Sequence, residues 1–214
     1  MRGGLTERQF RRREKILSVA RELIAEHGYN GVRMRELADR SGVTAKTLYH
    51  QFDSKENLLR VAVEERFRHT YETINSVNFE KGIDRLFYVV ETIAESTRKN
   101  YAYAQALAPV LRSSRERTFI EIRLNTYRAA VQQIADEGDL LPWAEVETTA
   151  AMVCRHVNPL YANRMSDGLK VKAEDITIYD VCTHLRAITR GRTHKIVTER
   201  AKLLAEQFRG KKLV

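Results

Sequence analysis

Apolar residues recur along nearly the whole chain at spacings of three and four, the pattern of helices with one buried face. Ile16, Val19, Ala20, Leu23, Ile24 and His27 share one side of a first helix. Thr6 with Gln9 matches a capping box, so that helix begins near Glu7, and Gly28 ends it. Met34, Leu37 and Ala38 mark a short second helix, and Leu48 and Phe52 the buried side of a third. Ser41-Gly42-Val43 separates them, because glycine reaches the left-handed backbone that a sharp turn needs. Thr44 is placed to cap the third helix with its hydroxyl. Asp53 with Glu56 forms another capping box, which starts a fourth helix at Ser54 or Lys55. Leu59, Ala62, Val63, Phe67, Tyr71 and Ile74 carry its apolar face onward.

Polar residues from Asn75 to Glu80, followed by Gly82, set a domain boundary, giving domains of 1–75 and 76–214. Beyond it the helical period resumes. Ile83, Leu86, Phe87, Val90, Ile93 and Ala94 mark a fifth helix, and Tyr101 to Leu111 a short sixth that Pro109 disturbs. Ser113 with Glu116 caps a seventh, which ends at Gly138. Pro142 suits the first turn of an eighth, with Val146, Thr149, Ala150, Val153 and Val157 on one side and Pro159 near its end. Asn163 to Glu174 reads as a polar loop. Ile178 to Ile188 makes a ninth helix and Ile196 to Phe208 a tenth. The fold class is therefore all-α, with about nine to ten helices.

Arg33 to Lys55 carries the chemistry. Two short helices joined by a glycine turn make a helix-turn-helix, whose second helix enters the DNA major groove. Thr44, Ala45, Lys46, Thr47, Tyr49 and His50 lie on its outward side, with donors and rings suited to phosphates and base edges. An ordinary helical hairpin inside a bundle has the same spacing, but not such a density of polar groups on one face. Arg33 and Arg35 flank the start of the second helix, itself a place for a phosphate.

Charge sharpens this picture. The chain of 214 residues carries a net charge of +9. Residues 1–60 hold 13 basic and 8 acidic side chains, 61–184 hold 15 and 18, and 185–214 hold 9 and 2. The middle of the chain thus lacks a nucleic-acid signature, and the basic C-terminal run reads as a solvated face and tail. Arg8, Arg11, Arg12, Arg13 and Lys15 crowd the N-terminus, as an arm reaching the DNA backbone or as a merely solubilising one. Cys154 and Cys182 sit on apolar stripes and fit a reducing compartment. With no apolar run near about 20 residues and no signal-peptide core, a cytoplasmic location is expected and no membrane partner.

Gly28-Tyr29 through Leu58-Leu59, with Glu36-Leu37-Ala38, Ser41-Gly42-Val43, Thr47-Leu48-Tyr49, Phe52 and Lys55-Glu56, resembles the DNA-binding domain of the tetracycline-repressor (TetR) family. The resemblance covers about the first quarter of the chain. It implies a transcriptional regulator, a repressor that binds a palindromic double-stranded operator as a homodimer and is released by a small-molecule effector. By the same resemblance Lys55 lies near the DNA backbone, the fourth helix is the lever, and the C-terminal domain binds effector and dimerises. Its eighth and ninth helices, near 143–160 and 176–190, would pair with their twins. Three positions depart from the family pattern. Arg33 stands where a Ser or Thr cap is usual, at a cost of ~1 kcal/mol unless Asn30 or a backbone arrangement substitutes. Lys46 replaces a small residue and can read a guanine edge, and Gln51 replaces an aromatic or His.

No glycine-rich phosphate loop, GxSxG elbow or HExxH pairing occurs, so no catalytic residue, cofactor or metal site is assigned. Cys154-Arg155-His156 is a thin lead for metal that a buried thiol beside an ordinary histidine explains better. Tyr101, Tyr103, Arg123, Tyr127, Trp143, Met152 and His156 are the candidates for an effector pocket, though aromatics at helical spacing are more often plain core. Arg123 would favour an anionic ligand if it points inward. The rival readings are a non-specific architectural DNA-binding protein without effector control and, more remotely, an enzyme built on a helical bundle.

Overall fold

The computed structural model describes residues 6–113, 117–157 and 170–211. These form ten helices and, among the described residues, no strand: α1 (Glu7–His27), α2 (Met34–Ser41), α3 (Ala45–Phe52), α4 (Lys55–Asn75), α5 (Gly82–Lys99), α6 (Tyr101–Ser113), α7 (Arg117–Asp136), α8 (Val146–His156), α9 (Ala173–Arg186) and α10 (Gly191–Phe208). The all-α expectation holds, with ten helices among the described residues. An isolated antiparallel bridge joins Leu140 to Thr189.

The chain forms two compact units, Met1–His69 with Tyr101–Phe119 and Thr70–Asn100 with Ile120–Val214. This division differs from the boundary expected at 75/76 chiefly through α6, whose Leu107 is 2% exposed in the core of the first unit, with Tyr103 and Ala106 against it. The first unit is built on α1. Its stripe Ile16, Leu17, Ala20, Leu23 and Ile24 is fully buried, and α2 and α6 both pack on it. Thr6 caps α1 by the expected capping box: its hydroxyl accepts from the Gln9 backbone N–H, and Gln9 accepts from the Thr6 N–H. Arg8, Arg11, Arg12, Arg13 and Lys15 therefore lie on a helix and not in an extended arm.

Two helix starts differ from the expectation. Asp53 does not cap α4: it sits at φ 65 in the tight reversal after α3, with the Ser54 N–H donating to the Phe52 carbonyl at 2.7 Å. Ser54 takes the capping role, its hydroxyl accepting from the Asn57 N–H at 3.1 Å. Pro142 lies in a turn ahead of α8, because Leu141 donates to the Ile188 carbonyl at 3.0 Å and holds that segment extended. Ser113 is the last residue of α6, and its expected partner Glu116 and the end near Pro159 fall outside the described residues, as does most of the 163–174 loop.

The second unit centres on α9, which packs against α5, α8 and α10. Ala173, Ile176, Thr177, Ile178, Val181, Cys182 and Leu185 are all buried, so α9 starts at Ala173, earlier than the apolar pattern suggested. Likewise α10 starts at Gly191, because a carboxylate distant in sequence caps it. Asp139 accepts from the Thr193 N–H at 2.7 Å, while Arg190 donates to the Gly138 carbonyl at 2.7 Å. Opposite charge and paired donors thus satisfy a helix end that local sequence leaves bare.

Candidate nucleic-acid interface

The site is assembled by two backbone devices. Gly42, at φ 70 and ψ 36, takes the left-handed conformation after α2, its N–H bonds the Asp39 carbonyl at 3.2 Å, and the Val43 N–H bonds that of Ala38 at 3.0 Å. Thr44 then caps α3, its hydroxyl accepting from the Thr47 N–H at 3.1 Å with the two threonine hydroxyls 2.9 Å apart. These two caps set the angle between helices that are each only eight residues long.

Behind α3, Leu48 and Phe52 are 0% and 1% exposed. Arg13 of α1 stands over the Phe52 ring, 5.1 Å from its centroid, and pairs with Glu65 of α4. On the other side Thr44, Ala45, Lys46, Tyr49 and His50 are exposed and Thr47 is half-buried; Tyr49 is 49% exposed. A large aromatic so placed next to cationic and hydroxyl groups suits a polyanion with stackable or apolar edges. Arg33 and Arg35 are exposed at the start of α2. Lys55 is half-buried, and its ammonium donates to the Asn30 carbonyl at 3.0 Å, which ties the loop before α2 to the start of α4. Its two other N–H donors remain for a phosphate.

Arg40 fixes α2 to α1 by donating to Glu26 at 2.7 and 3.0 Å and to Glu22 at 3.1 Å. Hydrogen bonding to Arg40 holds the Glu26 carboxyl below its ordinary range. His27 lies 3.2 Å from Glu36. Ligand atoms of Glu26, His27 and Glu36 lie within 4.8 Å of one another, but Arg40 already neutralises this exposed cluster, which acts as a clasp between α1 and α2.

Arg33, at the N-cap position of α2, makes no side-chain cap, while Lys55 engages the backbone carbonyl of Asn30 just before it. We expect Arg33→Ser to raise stability by ~1 kcal/mol in chemical denaturation. Its DNA affinity should fall at the same time if Arg33 touches a phosphate.

The effector-pocket candidates divide between the two units. Tyr103 belongs to the core of the first unit, where burial raises its hydroxyl pKa, and Tyr101 is on the same helix. Trp143 and Met152 are 68% and 40% exposed. His156 is exposed and meets the His184 ring at a tilt of 40° with centroids 4.8 Å apart. Arg123 and Tyr127 do come together, one turn apart on α7, with Tyr71 and Cys154 acting on both. Tyr71 lies on the apolar stripe of α4, and the signal it carries in sequence is that a buried tyrosine needs a partner for its hydroxyl.

Taken together, the first unit is a helix-turn-helix DNA-binding domain. Residues 16–62 match the model of the bacterial regulatory proteins of the tetR family. The transcriptional repressor KstR2 of Rhodococcus jostii is 42% identical over 48 residues, 22% of this chain and 24% of that protein. In fold, a TetR transcription regulator of Haloarcula marismortui is similar with a TM-score of 0.70 at 17% identity, over 85% of this chain and 100% of that one. FadR of Bacillus subtilis, solved in complex with stearoyl-CoA, gives 0.62 at 17% identity over 91% and 98%. Over residues 16–62 the chain thus has the DNA-binding domain of tetR-family regulatory proteins, and its fold is similar to that of solved TetR regulators. It spans only a quarter of the length of the curated relative KstR2. Among the described residues no helix is long and apolar enough to cross a membrane.

Proposed function

We propose that the chain is a repressor that binds a palindromic operator as a homodimer through Arg33 to Lys55 and leaves it when a small molecule occupies the C-terminal unit. The observation that carries this is α3 itself, held from behind by Leu48 and Phe52 while Lys46, Tyr49 and His50 face outward. A two-fold pair would set two such helices about one DNA turn apart, ~34–36 Å. The outward residues of α8 (Thr148, Ala151, Met152) and of α9 (Thr183, Arg186) are the proposed pairing face. A protein of the same fold with stearoyl-CoA bound supports effector control. A ligand acts only by preferring the DNA-incompetent arrangement of the two heads, and α4, which contributes residues to both units, is the element to transmit that preference.

Competition binding tests the reading. The dimer should prefer the DNA upstream of its own gene over random duplex by at least ~10³ at fixed salt, whereas an architectural binder would not discriminate. Within the site, Lys46→Ala should relax preference at one base position per half-site by ~1–3 kcal/mol. Tyr49→Ala should weaken all duplexes alike. Unchanged preference in Lys46→Ala would remove that lysine from base reading.

A further inference from the structure

In the second unit α7 brings Arg123, Thr126 and Tyr127 to one helical face. Tyr127 is 0% exposed, and its hydroxyl has no hydrogen-bond partner among the described residues. A hydroxyl buried in that way costs ~1–3 kcal/mol, which few interiors tolerate without a reason. Beside it the part-buried Arg123 donates to the Cys154 carbonyl at 3.2 Å and hydrogen-bonds Tyr71. The groups acting on Arg123 are Tyr71, Cys154 and Tyr127, with no Asp or Glu among them. Burial pushes the Tyr71 hydroxyl up to about 12 and raises that of Tyr127 well above its ordinary range, so both remain neutral donors.

A guanidinium with donors to spare and an unpartnered phenol thus converge, and what they lack is an acceptor. The charge balance narrows the choice. Among the described residues Arg123 is the one cation acting on Tyr71, Tyr127 and Cys154, so the cluster balances a single negative charge and would leave a phosphate dianion half uncompensated. Planar, bidentate acceptance from an arginine fork is the habit of carboxylates. We propose that the effector is an organic monocarboxylate, its carboxylate seated between Arg123 and the Tyr127 hydroxyl. This rests on the reading of the chain as an effector-controlled regulator. Its consequence is direct, since Tyr71 stands on α4 and Asn75, one turn on, donates to Thr126 of α7 at 3.2 Å. A carboxylate taking Arg123 changes the group that Tyr71 bonds.

The test uses the full chain with formate, acetate and octanoate as probes, octanol and octanamide as neutral counterparts, and inorganic phosphate. Binding is read by calorimetry and by the shift in Tm. At least one carboxylate should bind the wild type, and Tyr127→Phe and Arg123→Met should each weaken it tenfold or more. The neutral counterparts and phosphate should bind no better to the wild type than to the variants. Tyr127→Phe removes a single oxygen and keeps the test open should Arg123→Met fail to fold. If no carboxylate in the series favours the wild type over Tyr127→Phe, or octanol matches octanoate, the proposal is overturned. Operator binding is measured separately without added ligand. Carboxylate binding without any operator preference would uphold the site and strike the regulator reading instead.

Discussion

Replacing Phe52 by alanine should lower the stability of the protein by about 3–5 kcal/mol and remove operator binding with it. Phe52 closes α3 from behind, and the helix it anchors has eight residues, too few to persist without tertiary packing. The Arg13 guanidinium also loses the ring it covers. Two measurements check this: urea denaturation followed by far-ultraviolet circular dichroism, and operator titration well below the midpoint. A variant that keeps wild-type stability would show that α3 draws its position from elsewhere. One that unfolds early yet binds DNA normally would show that contact with DNA rebuilds the helix.

Gly82→Ala should cost the second unit about 3 kcal/mol. A Cβ there would come within 2.6 Å of the Ile134 nitrogen and 2.7 Å of the Ala130 carbonyl oxygen, both backbone atoms of α7 that no rotamer change can move. The Gly82 N–H also donates to Glu137 at 2.8 Å, so the glycine fixes where α5 meets α7. Any shift there disturbs the helix that carries Arg123 and Tyr127. Carboxylate binding should therefore weaken along with stability, which paired calorimetric and denaturation measurements on the variant would show. Preserved Tm would mean that α5 can step back at little cost.

Sequence made the DNA-binding unit legible because its signals are local. Thr6 with Gln9, Gly42, and Thr44 before Leu48 each act within one turn of chain, and all three do what their spacing suggested. Asp53 misled because two overlapping patterns compete there: Asp53 with Glu56 and Ser54 with Asn57. The reversal needs one residue in left-handed backbone before the helix can begin, and that residue is Asp53. The C-terminal start points were harder, since α10 is capped by Asp139, more than fifty positions away. The effector candidates fared unevenly for the same reason. Tyr103 and Tyr127 look alike in sequence, and each ends in a buried hydroxyl without a hydrogen-bond partner among the described residues, yet one fills the core of the first unit and the other stands beside Arg123 in the second. Trp143, the most conspicuous aromatic, faces solvent. Only the assembled bundle tells such residues apart.

The place of α6 bears on any attempt to graft this head onto a foreign sensor. A fusion cut after residue 75 would discard Tyr103, Ala106 and Leu107, which complete the packing over α1, and would leave an oily trough on the transplanted half. Chimaeras that retain the 101–113 helix, or supply a matching substitute, should remain monodisperse where shorter ones clump.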